Sequence, residues 1–176
     1  MPFYEVLHAL PLSEAQQDKL AEAITHIHTR LFTVPAGFVH VAFTNTDARP
    51  MYMAGKRRRS NMIVANIRNG PSRTSEHFSQ LCNQVGDAWK TTVAGTAEKY
   101  VQTEENKLRA VFVLGTIVAA WEGGFMAPNA GEDKEWFQKN MPAMKKAAVD
   151  GDTDIADMLE ELKTREDFKG LLTNGS

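Results

Sequence analysis

The feature that most constrains this chain is a repeated order of hydrophobic patterns. Residues 3–9, FYEVLHA, have strand composition. SEAQQDKLAEAITHIHTRLF follows, with Leu20, Ile24, Ile27 and Leu31 at helical spacing and Ser13 with Gln16 matching a capping box. After a VPAG break, FVHVAFTN has the composition and alternation of a second strand. The order then returns, with SNMIVANI at 60–67, a helical stretch with an apolar stripe at 72–93, and LRAVFVLGTIV at 108–118. A helix linking two strands of one sheet makes those strands parallel and the crossover right-handed. Two tandem β-α-β units therefore predict an α+β fold, a two-layer α/β sandwich with a four-stranded sheet and two helices on one face. The other face stays bare unless another copy covers it.

The chain has 176 residues and 43% apolar content, enough for one sizeable core. Its 20 Lys plus Arg against 22 Asp plus Glu, a formal charge of −2, argue against a general nucleic-acid binder. A basic n-region with an apolar h-region is missing, as is a run long enough to span a bilayer, so a cytoplasmic protein with no membrane partner is expected. The lone Cys82 falls among Phe78, Leu81, Val85 and Trp89 at helical spacing and is read as core. RPMYMAGKRRR predicts a turn with a short extra strand, its KRRR at 56–59 a solvated hairpin that raises the local potential for anions. From Pro128 the sequence becomes charged and helix-prone, with Gly and Asp dividing it into two or three small helices before a frayed NGS. The expected division is a double β-α-β domain at 1–137 and a helical extension at 138–176.

Five residues are candidates for chemistry. Pro2 either starts an edge strand, where its missing N–H costs nothing, or becomes a secondary amine at the terminus once Met1 is removed. Arg68 and Arg73 bracket NGPS between a strand and a helix. The expectation places Arg73 in the first helical turn, where a cation opposes the dipole and a bound carboxylate would satisfy both. His28 lies beside the apolar stripe of the first helix, and Glu122 follows the last strand ahead of two glycines. His26, two residues from His28, cannot share its face, and no ligand spacing suggests zinc, so neither a metal nor a cofactor is expected.

These features together resemble the tautomerase superfamily, in particular its fused double β-α-β branch around cis-3-chloroacrylic acid dehalogenase and fungal oxalocrotonate tautomerase-type homologues. The resemblance rests on the Pro2 start, AITHIH, MYMAGK, the arginine pair in NIRNGPSRTS and WEGGFMAPNAGEDKEW, and covers residues 2–137. It implies an enzyme whose Pro2 amine is the catalytic base or acid, with Arg73, Arg68 and His28 binding a small 2-oxo, enol or unsaturated carboxylate. It further implies Glu122 as the residue that activates water, and a homotrimer that buries the bare sheet faces. Val113 stands where dehalogenases have a helper tyrosine, so efficient dehalogenation is not expected. The alternative is a non-catalytic interaction protein that keeps the fold and a vestigial pocket.

Overall fold

The computed structural model describes residues 1–168, so the expected fraying of the C-terminal NGS lies outside the described residues. Strands β1 (Phe3–His8) and β2 (His40–Asn45) flank helix α1 (Glu14–Phe32). After the hairpin β3 (Tyr52–Met53) and β4 (Lys56–Arg57), strands β5 (Asn61–Asn66) and β6 (Leu108–Leu114) flank helix α2 (Ser75–Ala94). The main sheet has the order β2-β1-β5-β6. Within each unit the strands are parallel, and the units join antiparallel through β1 and β5. This is the two-layer architecture expected from the repeat.

Local chemistry explains the boundaries. Ser13 caps α1 in the expected capping box with Gln16, and Thr33 ends it in a left-handed conformation. Pro35 then sets a single 3-10 turn at Ala36–Phe38, so β2 starts at His40 and not with the whole of FVHVAFTN. β6 stops at Leu114, short of the expected Val118, because its partner β5 ends at Asn66 and leaves the chain beyond without a ladder. Asn61 ties the repeats together. Its Oδ1 accepts the N–H groups of Ala9 and Leu10, and its Nδ2 donates to the carbonyls of Glu105 and Lys107.

The first core lies between sheet and helices. Tyr4, Val6, Ile63 and Ala65 alternate inward and meet Leu20, Ile24, Leu81, Val85 and Trp89. Cys82 is only half-buried at its edge, with Sγ 3.8 Å from the Val111 carbonyl. The opposite sheet face presents Phe3, Phe112 and Leu114, each between 41% and 50% exposed, to solvent. A hairpin of β7 (Trp121–Glu122) and β8 (Phe125–Met126) leads to α3 (Asp133–Val149) and α4 (Thr153–Thr164), two helices where two or three small ones were expected, α3 being 17 residues long. α3 runs without interruption across residue 137. These helices build a second core whose members include Phe38, Phe137, Met144, Ile155, Met158 and, from the other end of the chain, Met1. Among the described residues no helix is long and apolar enough to cross a membrane.

Candidate active site

Met1 and the C-terminal helices meet near the charged residues of the repeats. Pro2 is buried, and its carbonyl accepts the His40 N–H at 3.1 Å, which pins the start of β1 to β2. Met1 ahead of it is only 6% exposed and sits in the second core. Its amino group is held down to about 5 from the ordinary 8.0, first by burial and then by the positive charges of Arg68 and Arg73, with Asp133 and Glu122 opposing.

Arg68 and Arg73 are both buried, yet their surroundings differ. Arg68 spends its guanidinium on the protein: Nη2 donates to Asp133 at 2.8 Å, and Nη1 donates to the carbonyls of Pro128 and Asn129. Its Nε has no partner among the described residues. Arg68 thereby fastens the end of β5 to the start of α3, a contact across 65 residues of sequence. Arg73 donates from Nη1 to the Arg68 carbonyl at 2.7 Å, and its Cζ lies 4.4 Å from the centre of the Phe32 ring. Among the described residues no carboxylate is within ion-pair distance of it. Burial, and then Arg68, push it down to about 10. The expectation that Arg73 opens the helix is corrected: Thr74 is the N-cap of α2, in a capping box with His77, and Arg73 precedes it. Thr74 wins because its hydroxyl can accept the His77 N–H, which an arginine side chain cannot. Arg73 borders a cavity of about 410 Å³ with Phe32, Ser72, Gly131, Asp133 and Phe168.

His28 is fully buried. Tyr4 Oη lies 2.6 Å from its Nδ1, and its Nε2 has no partner. Donation from the tyrosine to Nδ1 leaves one orphaned group, whereas the reverse tautomer would strand both the hydroxyl hydrogen and Nε2, so the proton belongs on Nε2. Burial, then Arg73, the N-terminal amino group and Arg68, push His28 down to about 2 and keep it neutral. Burial raises Tyr4, against the pull of Arg73. His26, by contrast, is exposed.

Glu122 belongs to another wall. On β7 its neighbour Trp121 points outward, while Glu122 is half-buried and lies 2.6 Å from Nε2 of His40. It lines a cavity of about 450 Å³ with Phe38, Phe125, Trp136, Met144 and Met158. Arg73 and Glu122 thus line different cavities, and the N-terminal amino group lies close enough to both to feel each charge. Val113 packs into the first core. Among the described residues no group of three or more metal-ligating side chains comes together.

Tyr4, Asp133 and His40 escaped the sequence reading. Tyr4 had a legible signal, because its inward register on β1 faces the stripe that carries His28. Asp133 and His40 had none, their partners being 65 and 82 residues away.

The profile of a family described as "Putative oxalocrotonate tautomerase enzyme" matches residues 1–141. The chain belongs to this family. Among solved structures it is similar to N1, a member of the cis-3-chloroacrylic acid dehalogenase family, at 21% identity and a TM-score of 0.61, over 84% of this chain and 99% of that one. It is also similar to native Ps01740, at 27% identity and a TM-score of 0.53, over 68% and 99% of the two chains. A fused 4-OT that forms an asymmetric trimer matches at 18% identity and a TM-score of 0.53, over 71% and 95%. No curated protein matches the chain significantly. The tautomerase fold and a tautomerase-like function follow from membership.

Proposed function

We propose that the protein is a keto–enol tautomerase of small 2-oxo, enol or unsaturated carboxylates, with the amine of Pro2, freed by removal of Met1, as its general base. The observation that carries this reading is Arg73, a buried guanidinium with no carboxylate of the described residues at ion-pair distance, placed on a cavity and within electrostatic reach of a buried N-terminal amine. A substrate carboxylate would supply the missing charge, and a guanidinium offers it two parallel N–H bonds. Burial and the two arginines hold the present terminal amine down to about 5, and an amine at Pro2, one residue along, would lie near the same arginines. Neutral Pro2 takes the proton from the enol oxygen or from C3 and returns it at the other position. His28, neutral with its proton on an unpartnered Nε2 behind Phe32 at the cavity wall, would donate to the carboxylate or the developing enolate once the substrate displaces that wall, and Tyr4 holds the ring in that tautomer. Arg68, committed to Asp133 and two carbonyls, acts through its charge and by positioning Arg73, which binds its carbonyl.

A hydratase reading rests on Glu122, whose hydrogen bond with His40 could orient a water. It needs a protonated Pro2 as acid, and the low-lying terminal amine favours the base instead. The apolar sheet face of Phe3, Phe112 and Leu114, together with trimeric relatives, supports a homotrimer. The protein is read as cytoplasmic.

The test combines intact mass with ketonisation of phenylenolpyruvate followed by ultraviolet absorbance. Loss of one methionine, turnover, and a rising limb of kcat/KM below neutral pH are expected, and Pro2→Ala should shift that limb by substituting a primary amine. Undiminished turnover by protein that retains Met1 refutes the base assignment.

A further inference from the structure

The C-terminal helices do more than cover a surface. Met1 is seated in a nest whose other buried members among the described residues are Phe38 and eight C-terminal apolar side chains, among them Phe137, Met144, Ile155 and Met158 from α3 and α4. Four residues of that nest, Phe38, Met144, Ile155 and Met158, also line the cavity that carries Glu122. The seat already accepts a flexible, unbranched apolar side chain attached next to Pro2, and the amino group of that same residue feels the Arg68 and Arg73 charges. The rim of the same cavity is acidic. Asp154 and Asp157 are exposed there without a cation partner among the described residues, whereas Asp152 is engaged in capping Ile155 and Glu161 holds the Ala36 N–H.

Resting on the tautomerase reading above, we infer that the seat vacated by Met1 is the substrate's tail pocket, and that it selects monocarboxylates with an apolar alkyl or aryl tail over dicarboxylates. The carboxylate pairs with Arg73, the reacting carbons lie at the Pro2 amine, and the tail enters the nest made by α3 and α4. A second carboxylate at the far end of the molecule would lose its water to apolar walls and face Asp154, Asp157 and Glu122, an arrangement that raises the energy of the bound complex. No group is transferred to the protein in this step: the enol proton moves through Pro2 to carbon, and the tail only binds.

Two dienols that differ only at the far end test this. 2-Hydroxyhexa-2,4-dienoate ends in a methyl group, and 2-hydroxyhexa-2,4-dienedioate ends in a carboxylate. With the full chain lacking Met1, kcat/KM for the first should exceed that for the second by about tenfold or more. Met158→Lys should move the ratio toward the dicarboxylate by a similar factor, with melting temperature as a control on folding. Asp154→Asn/Asp157→Asn, at exposed positions, should move it the same way by a few-fold and keeps the test open if the lysine variant does not fold. A ratio of one or below in the wild type, or a ratio that neither folded variant moves, overturns the tail pocket while leaving the tautomerase reading intact. Turnover of neither dienol nor phenylenolpyruvate overturns that reading, and the tail pocket with it.

Discussion

Replacing Arg73 by methionine should weaken carboxylate binding while leaving the stability of the fold nearly unchanged. The guanidinium is buried, its value drops from 12.5 to about 10 through burial and Arg68 against the opposing charge of Asp133, and no carboxylate lies at ion-pair distance from it among the described residues. The sign is fixed by linkage. The unfolded chain holds the proton more tightly than the folded one, so the penalty is fully present below about pH 10 and is relieved only as pH rises toward 12.5. A fall of roughly 2.5 pH units corresponds to about 3.4 kcal/mol as an upper bound, and contact with the cavity screens part of it. Against this stand one charge-assisted hydrogen bond to the Arg68 carbonyl, about 1.5–3 kcal/mol, and a contact with Phe32 of about 0.5–2 kcal/mol. Methionine keeps the apolar contact with Phe32 but not the attraction of the cation to the ring, so the terms nearly cancel and the Tm should move by no more than about 2–4 °C for a chain of this size. Thermal unfolding of wild type and Arg73→Met, with and without a non-reactive carboxylate, measures both halves. The carboxylate should raise the Tm of the wild type alone, and kcat/KM of the variant should fall by about tenfold to a hundredfold. A large drop in the variant's Tm would make Arg73 structural. An equal rise in Tm with carboxylate in both proteins would remove it from the site.

His28 should tie stability to pH: its value of about 2 against an ordinary 6.5 means that the unfolded chain gains a proton first, so stability is lost as pH falls below 6.5, at up to about 1.4 kcal/mol per unit. Urea unfolding from pH 7.5 to 4.5 should show a shallower decline for His28→Gln than for wild type, and equal slopes would refute the assignment. Asn61→Ala strands two N–H groups and two carbonyls and should cost about 2–4 kcal/mol in denaturant unfolding; a cost below about 0.5 kcal/mol would show that water replaces the clamp. Phe112→Glu, on the bare sheet face, should convert a trimer into smaller species by light scattering, and an unchanged mass would place the interface elsewhere.

How far these features could be read beforehand depends on the distance over which each is determined. Leu20, Ile24, Leu81, Val85 and Trp89 announce their helices because burial of one face imposes a period that the sequence must carry. The strand alternation of Tyr4 and Val6 is equally local. Element ends were less legible, since Thr74 against its neighbours, or Leu114 against Val118, is decided by which hydrogen bond finds a partner in space. Pro2, His28, Arg68, Arg73 and Glu122 could all be named, yet their environments could not. The two arginines look equivalent in NIRNGPSRTS, and only the arrival of Asp133 on α3 makes one a tie and leaves the other without an ion-pair partner among the described residues.

That asymmetry gives the C-terminal helices a chemical consequence. α3 brings Asp133 to Arg68, and without that pairing two adjacent guanidinium groups would repel each other beneath a buried amine. α3 and α4 also supply most of the apolar wall around Met1, and burial is the largest cause of the low value of the terminal amine. One pair of helices therefore lowers the amine by excluding water, while its single buried carboxylate limits how much positive charge the site accumulates. Arg73 is what remains available for an anion. A substrate carboxylate arriving there completes a charge balance that the protein leaves open, so binding and catalysis would draw on the same electrostatic deficit.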